Sequence, residues 1–214
     1  MKVIDMATWP RKSQFEFFKQ LPAPHFSLTS KVDITNLVQH SKNEGFSLFN
    51  AILYVIMTAA NAVPELRLRF REDIVVEHDV VHASATVPID DDRFAFCGIE
   101  YDPRWNVFNT RCVAALETAK KQNELMEHTN NTDEWIFLSC LPWVNFTALT
   151  NPNGGPNDCI PRISWGKLGN QGSNWTIPVA VQVHHALVDG VHVGKFYQAL
   201  TEILETDFKT YGAL

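Results

Sequence analysis

Gln182-Val183-His184-His185-Ala186-Leu187-Val188-Asp189-Gly190-Val191-His192-Val193-Gly194, near the C-terminus, decides how the chain is read. The β-branched run that precedes it, Thr176-Ile177-Pro178-Val179-Ala180-Val181, suits a sheet strand. Residues 192–208 then read as a helix. Two adjacent histidines therefore stand where a strand ends, ahead of a tight Asp189-Gly190 turn. A strand's end is where side chains leave the sheet and can reach a cleft. Neighbouring strand residues point to opposite faces, so His184 and His185 diverge and only one of them faces a substrate. A lone histidine in such a place is usually a packed residue beside a turn; the pair, with its spacing to Asp189, points further.

Outward from this stretch, strands and helices interleave. Residues 11–20, with Phe15, Phe17 and Phe18, suit a short helix ended by Pro22 and Pro24. Residues 25–34 alternate as a strand, and residues 35–42 form a helix with Thr35 as its cap. Residues 46–62 are a long core helix, with Ser47 near its start and Pro64 just past its end. Asn50, Tyr54, Thr58 and Asn61 interrupt its apolar run, so it reads as a buried helix and not a membrane span. Residues 66–70, 73–77, 80–89 and 94–101 read as strands. Asp90-Asp91-Asp92 between the last two is a solvated turn and not a metal site, because no companion ligands follow at calcium-loop spacing. Residues 105–128 form the longest helix, broken by Asn130-Asn131-Thr132-Asp133. Residues 135–141, 160–168 and 175–184 are strands, with a hairpin turn over residues 169–174. Strands outnumber helices, and the helices are long enough to cover a sheet. The expected fold is α/β, a two-layer sandwich with a mixed β-sheet covered by helices.

A length of 214 residues suits one domain, residues 1–214, with a real core. The composition, 45% apolar and 20% charged, is that of a globular protein. A formal net charge of −6 argues against a nucleic-acid partner, which needs a basic face. Cys97, Cys112, Cys140 and Cys159 are scattered, in neither a zinc pattern nor a secreted disulfide framework. Met1-Lys2-Val3-Ile4-Asp5-Met6 has no long apolar core of a signal peptide, so a cytoplasmic location and no membrane partner are expected.

The spacing His-His-x-x-x-Asp-Gly resembles the signature of the CoA-dependent acyltransferases, which include chloramphenicol acetyltransferase and the catalytic domains of dihydrolipoamide acyltransferases. Residues 182–194 look specifically like the chloramphenicol acetyltransferase family. Ser139-Cys140-Leu141-Pro142-Trp143-Val144-Asn145-Phe146 resembles the same family, as do Phe15-Glu16-Phe17-Phe18 and Phe26-Ser27-Leu28-Thr29. The likeness runs from about Trp9 to Leu204. It implies the CoA-dependent acyltransferase fold and acetyl transfer from acetyl-CoA, a cosubstrate and not a bound cofactor, to a hydroxyl of chloramphenicol. It also implies a homotrimer in which the base of one subunit faces a pocket built partly by its neighbour.

Such a transfer needs a base for the hydroxyl proton, a donor for the oxyanion, and a tunnel that brings both substrates together. Histidine is a suitable base because its ordinary pKa of about 6.5 leaves it largely neutral at pH 7. The resemblance assigns the base to His185, the oxyanion donor to Ser139, and a supporting role beside a bound water to Ser164. Asp189 invites a triad with His185, but its four-residue spacing crosses a turn; the resemblance instead pairs it with Arg11 as a structural support of the site. Phe17, Phe18, Phe26, Phe94 and Phe96 are expected to line the acceptor pocket, and Trp143 and Lys167 to contact CoA. No GxSxG elbow is present, which favours direct transfer in a ternary complex over an acyl-enzyme. Asn151 and Arg162 fall near positions that are aliphatic in familiar family members, and an arginine in that wall needs a partner or solvent. They motivate the alternative, the same chemistry on a different hydroxylated small molecule. A dihydrolipoamide acyltransferase core is less favoured, since no lipoyl domain or linker is seen, and a non-catalytic binding module is disfavoured by the intact site residues.

Overall fold

The computed structural model describes residues 1–126, Thr129 and residues 132–206. In chain order the elements are β1 (Lys2–Val3), α1 (Lys12–Lys19), β2 (His25–Asp33), α2 (Thr35–Glu44) and α3 (Leu48–Asn61). A 3-10 turn, Pro64–Arg67, leads to β3 (Leu68–Arg71), β4 (Ile74–Glu77), β5 (His82–Ile89) and β6 (Arg93–Ile99). The chain ends with α4 (Trp105–Ala119), β7 (Trp135–Leu141), β8 (Arg162–Gly166), β9 (Gly169–Gln171), β10 (Asn174–His184) and α5 (Gly190–Glu205).

The main sheet has seven strands in the order β2-β10-β8-β7-β5-β6, with β9 paired to β10. It is mixed: β7 runs parallel to both β5 and β8, and the other ladders are antiparallel. A small sheet, β1-β4-β3, stands beside it. Helices α2 to α5 pack on one another and on the sheet, giving the expected sandwich. At its centre is α3, in which ten of fourteen residues are buried, so the helix is apolar because it is enclosed on nearly all sides. Among the described residues no helix is long and apolar enough to cross a membrane.

Several boundaries differ from the sequence expectation, each for a physical reason. Helix α4 ends at Ala119. The Lys120-Lys121 segment beyond it has no apolar face to bury, Leu125 and Met126 stay exposed, and propensity alone does not sustain a helix. His128, Asn130, Asn131 and Phe208 lie outside the described residues. Thr35 is not the cap of α2. Asp33 Oδ1 accepts from the Thr35 N–H at 2.8 Å, while the Thr35 hydroxyl accepts from the Trp175 N–H, also at 2.8 Å, and ties the helix to β10. Pro161 shortens the expected 160–168 strand to Arg162–Gly166. The expected six-residue turn is a tighter hairpin, in which Gly169–Gln171 already pairs with β10 and Gly172, at φ 68°, makes the reversal.

Two features hold the strand ends that carry the site. Gly166 closes β8 where a Cβ would lie 2.6 Å from both Pro178 Cγ and the Val144 carbonyl oxygen. The Lys167 N–H donates to that carbonyl at 2.8 Å, so the segment after β7 is clamped against β8. Arg69 is wholly buried, and its guanidinium donates to the carbonyls of Leu66, Leu68, Asp133 and Trp135 at 2.6 to 3.0 Å. It stitches β3 to the entry of β7. Removing it takes the guanidinium donors from the Leu66 and Leu68 carbonyls at buried hydrogen bonds. Arg69→Met is expected to destabilise the fold by at least ~3 kcal/mol, read as a lower urea midpoint with an unchanged slope.

Candidate active site

The antiparallel pairing of β10 with β2 runs to its last residue, His184 opposite His25. The two histidines that follow one another there are treated very differently. His184 is 1% exposed. Its Nε2 donates to the Pro156 carbonyl at 2.9 Å and its Nδ1 accepts from the Ala186 N–H at 3.2 Å. Both ring nitrogens are used, so His184 has no lone pair left for a substrate. Burial pushes its pKa down to about 4.

His185 turns the other way, and a third of its side chain is exposed. Its own N–H donates to the Pro24 carbonyl at 2.9 Å, which fixes its backbone just past the sheet. Phe18 from α1 stacks on the imidazole at 3.7 Å between ring centroids and 7° between planes. Phe26 from β2 leans on it at 4.8 Å. Nδ1 lies 3.1 Å from Asp189 Oδ1. A carboxylate accepts, so Nδ1 carries the proton and Nε2 is left with its lone pair. Among the described residues Nε2 has no hydrogen-bond partner.

Asp189 is held in turn by Arg11. The guanidinium reaches both carboxylate oxygens, Nη1 to Oδ2 and Nη2 to Oδ1, the second at 3.1 Å. Hydrogen bonding to Arg11, ahead of the opposing effect of burial, lowers the Asp189 pKa and keeps the carboxylate charged. The two expected roles of Asp189 are therefore not alternatives. It pairs with Arg11, and it also bonds His185 directly across the turn.

Ser139 and Ser164 lie elsewhere. They sit opposite each other on β7 and β8, and Ser164 sits opposite Ala180 on β10. Both line a cavity of about 690 Å³ together with Thr86, Phe94, Phe96 and Trp143. Trp143 is 73% exposed at its rim. Lys167 is exposed and is not among the lining residues; its backbone N–H is engaged with the Val144 carbonyl. Phe17 is also absent from that lining and packs edge-on against Phe18 at 5.1 Å. The expected aromatic wall is thus split between two places, Phe18 and Phe26 at the histidine and Phe94 and Phe96 in the cavity.

The split has a definite scale. His185 is five residues beyond Ala180 on β10, which at the rise of an extended strand is about 16 Å along the sheet. His185 is not among the residues that line the cavity holding Ser139.

Arg162 and Asn151 are both accounted for. Arg162 Nη2 bonds Asp158 Oδ2 at 2.5 Å, and its guanidinium covers the Phe137 ring at 5.2 Å. It is a satisfied part of the wall. Asn151 is clasped by the buried Gln182, which accepts from its N–H at 2.6 Å and donates to its carbonyl at 3.0 Å. Its Oδ1 accepts from the Ser164 hydroxyl at 3.3 Å. Thr86 donates to Ser139 Oγ at 3.3 Å. Neither Thr86 nor Gln182 stands out in the sequence. Thr86 becomes visible only when the parallel β5–β7 register sets Ala85 opposite Leu138. Among the described residues no group of His, Cys, Asp and Glu side chains could hold a metal ion.

A family model described as chloramphenicol acetyltransferase matches residues 1–201. The chain belongs to the chloramphenicol acetyltransferase family. It is 30% identical over 207 residues to chloramphenicol acetyltransferase 3 of Escherichia coli, covering 96% of this chain and 97% of that one. A solved chloramphenicol acetyltransferase superposes with a TM-score of 0.90 at 27% identity, over 96% of this chain and 100% of the other. A probable dihydrolipoamide acetyltransferase from Listeria monocytogenes shares the fold at a TM-score of 0.67 and 16% identity, over 95% and 93% of the two chains. The family's shared fold therefore extends to the acyltransferase cores. Within it, the neutral burial of His184 has a measurable consequence. Between pH 6.5 and about 4 the unfolded chain binds a proton there that the folded chain does not, so stability falls as pH falls through that window. The loss from this group should reach ~3 kcal/mol, and His184→Asn should flatten that part of an unfolding-versus-pH profile relative to wild type.

Proposed function

We propose that the protein is an acetyl-CoA-dependent O-acetyltransferase that modifies a hydroxyl of chloramphenicol by direct transfer in a ternary complex. The observation that carries this reading is the His185 ring, stacked on Phe18 with Nδ1 directed at Asp189 and Nε2 left as a base. Nε2 takes the proton of the acceptor hydroxyl as its oxygen attacks the thioester carbonyl. The Ser139 hydroxyl donates to the oxyanion; because Thr86 donates to Ser139 Oγ, the serine's own proton is available for it. Collapse expels the CoA thiolate, which recovers the proton from the imidazolium. Cys140 also lines the cavity, but burial pushes its thiol up to about 11, which disfavours it as an acyl-carrying nucleophile.

The 16 Å separation within one chain (~3.3 Å per residue over five residues) supports the homotrimer implied by family resemblance. In that assembly His185 of one subunit completes the Ser139 cavity of its neighbour. Phe94 and Phe96 suit the nitrophenyl ring of the acceptor. Since Arg162 is paired with Asp158, it does not call for an acidic acceptor. We infer a cytoplasmic location, where acetyl-CoA is supplied.

Mixing the protein with acetyl-CoA and chloramphenicol should release free CoA thiol only when both are present. His185→Ala should lower the rate by ~10²–10⁴, and Ser139→Ala by ~10²–10³. Refolding the two inactive variants together should restore activity, because a mixed oligomer pairs an intact histidine with an intact serine. A silent wild type would direct the search to other hydroxyl compounds. Failure of the mixed sample would place each site within one chain and count against the shared assembly.

A further inference from the structure

Behind Asp189 lies a second pair that the reaction above does not use. Asp189 is the N-cap of α5, and its N–H donates to Nδ1 of His192 at 2.9 Å. This is the third helical position, where a glutamate or glutamine usually reaches back to the cap. Because Nδ1 accepts, the neutral His192 ring carries its proton on Nε2. Nε2 lies 3.4 Å from Oε1 of Glu65, which the 3-10 turn after α3 supplies. His192 is 6% exposed. The other Glu65 oxygen, Oε2, is buried and makes no hydrogen bond among the described residues. The Asp189 carbonyl meanwhile accepts from His192 and Val193 at 3.0 and 3.2 Å.

We propose that His192, oriented by Glu65, is a positioning residue for acyl transfer: it fixes the Asp189 backbone so that its carboxylate holds the Nδ1–H tautomer of His185. This rests on His185 being the base. Arg11 fixes the carboxylate plane, but a side chain hinges on its own backbone, and among the described residues only His192 meets the Asp189 N–H. If that acceptor is lost, the N–H is orphaned and the cap can rotate, carrying Oδ1 away from Nδ1. Small displacements suffice, since a 1 Å misplacement can cost ~10²-fold in rate.

The test uses the full-length protein and three variants, with acetyl-CoA and chloramphenicol. His192→Leu removes the acceptor, His192→Gln restores one at the same helical position, and Glu65→Leu removes the orienting carboxylate. His192→Leu should lower kcat by ~10-fold or more, within the ~10²–10⁴ that a general base contributes, with KM for both substrates changed by less than about twofold. His192→Gln should recover most of the loss, and Glu65→Leu should lose about threefold or more in kcat. The ring ¹⁵N spectrum of His185 provides a readout that needs no turnover. Wild type and His192→Gln should show the Nδ1–H tautomer, and His192→Leu a mixture. A folded His192→Leu with wild-type kcat, or the same His185 tautomer in all proteins, overturns the proposal. So does a His192→Gln variant that folds and is no better than His192→Leu. If His192→Leu does not fold, an unchanged kcat and His185 spectrum in Glu65→Leu overturn it. A wild type that acetylates nothing while its His185 tautomer still responds to His192→Leu separates failure of the proposed substrate from failure of this inference.

Discussion

A single carboxylate, Asp189, sits between a fixed cation and an imidazole, and the site depends on its staying charged. Arg11 bonds both of its oxygens, so the favoured state is the anion. An anion can only accept, and that forces the proton of His185 onto Nδ1. Arg11 and Asp189 are 178 residues apart in the chain. Their bond brings α1 against the end of β10, and with α1 comes Phe18, whose face covers the imidazole. The tautomer of His185 and the Phe18 face that covers it thus depend on one ion pair, while Phe26 and the Pro24 carbonyl, brought by β2 and the loop before it, complete its surroundings. The exposed side of that pair leaves it short of full desolvation, so its worth lies in geometry more than in stability.

The sheet does a different job. Its mixed order sets β7 between two parallel neighbours, and the β7–β8 register lines up Ser139 with Ser164 in the cavity wall. Gly166 lets the segment after β7 approach closely enough to place Trp143 at the rim. Histidine and cavity occupy different stretches of the same sheet: His185 follows the end of β10, while the cavity is lined by Ser139 and Ser164 further along it.

Much of this was legible before any coordinates. Strands betray themselves by β-branched runs such as Thr176 to Val181, and α3 by an apolar stretch with Ser47 in front and Pro64 behind. That the two histidines diverge follows from strand alternation; which of them is the base came from the resemblance. Less legible were features governed by long-range partners. Thr35 has the composition of a cap, yet its hydroxyl is taken by Trp175, and nothing local announces that. The extent of α4 was overestimated because helix-forming residues around Lys120 and Lys121 lack a surface to bury. Arg162 looked like an isolated charge in a pocket wall because Asp158, its partner, sits in a loop whose path the sequence does not reveal.

Element types, family and the identity of the candidate base are all readable from the chain's own residues. These depend on periodicity, turn chemistry and a short motif, all of which are written within a few residues of one another. It takes the packed fold to show which ring nitrogen of His185 carries the proton, that Asp189 serves Arg11 and His185 at once, that Thr86 bonds Ser139 while Gln182 holds the Asn151 that bonds Ser164, and that His185 lies outside the cavity lining. Those facts are distances between side chains remote in sequence. They are set by strand order, register and packing, which arise from burying the whole core together and from no local pattern of residues.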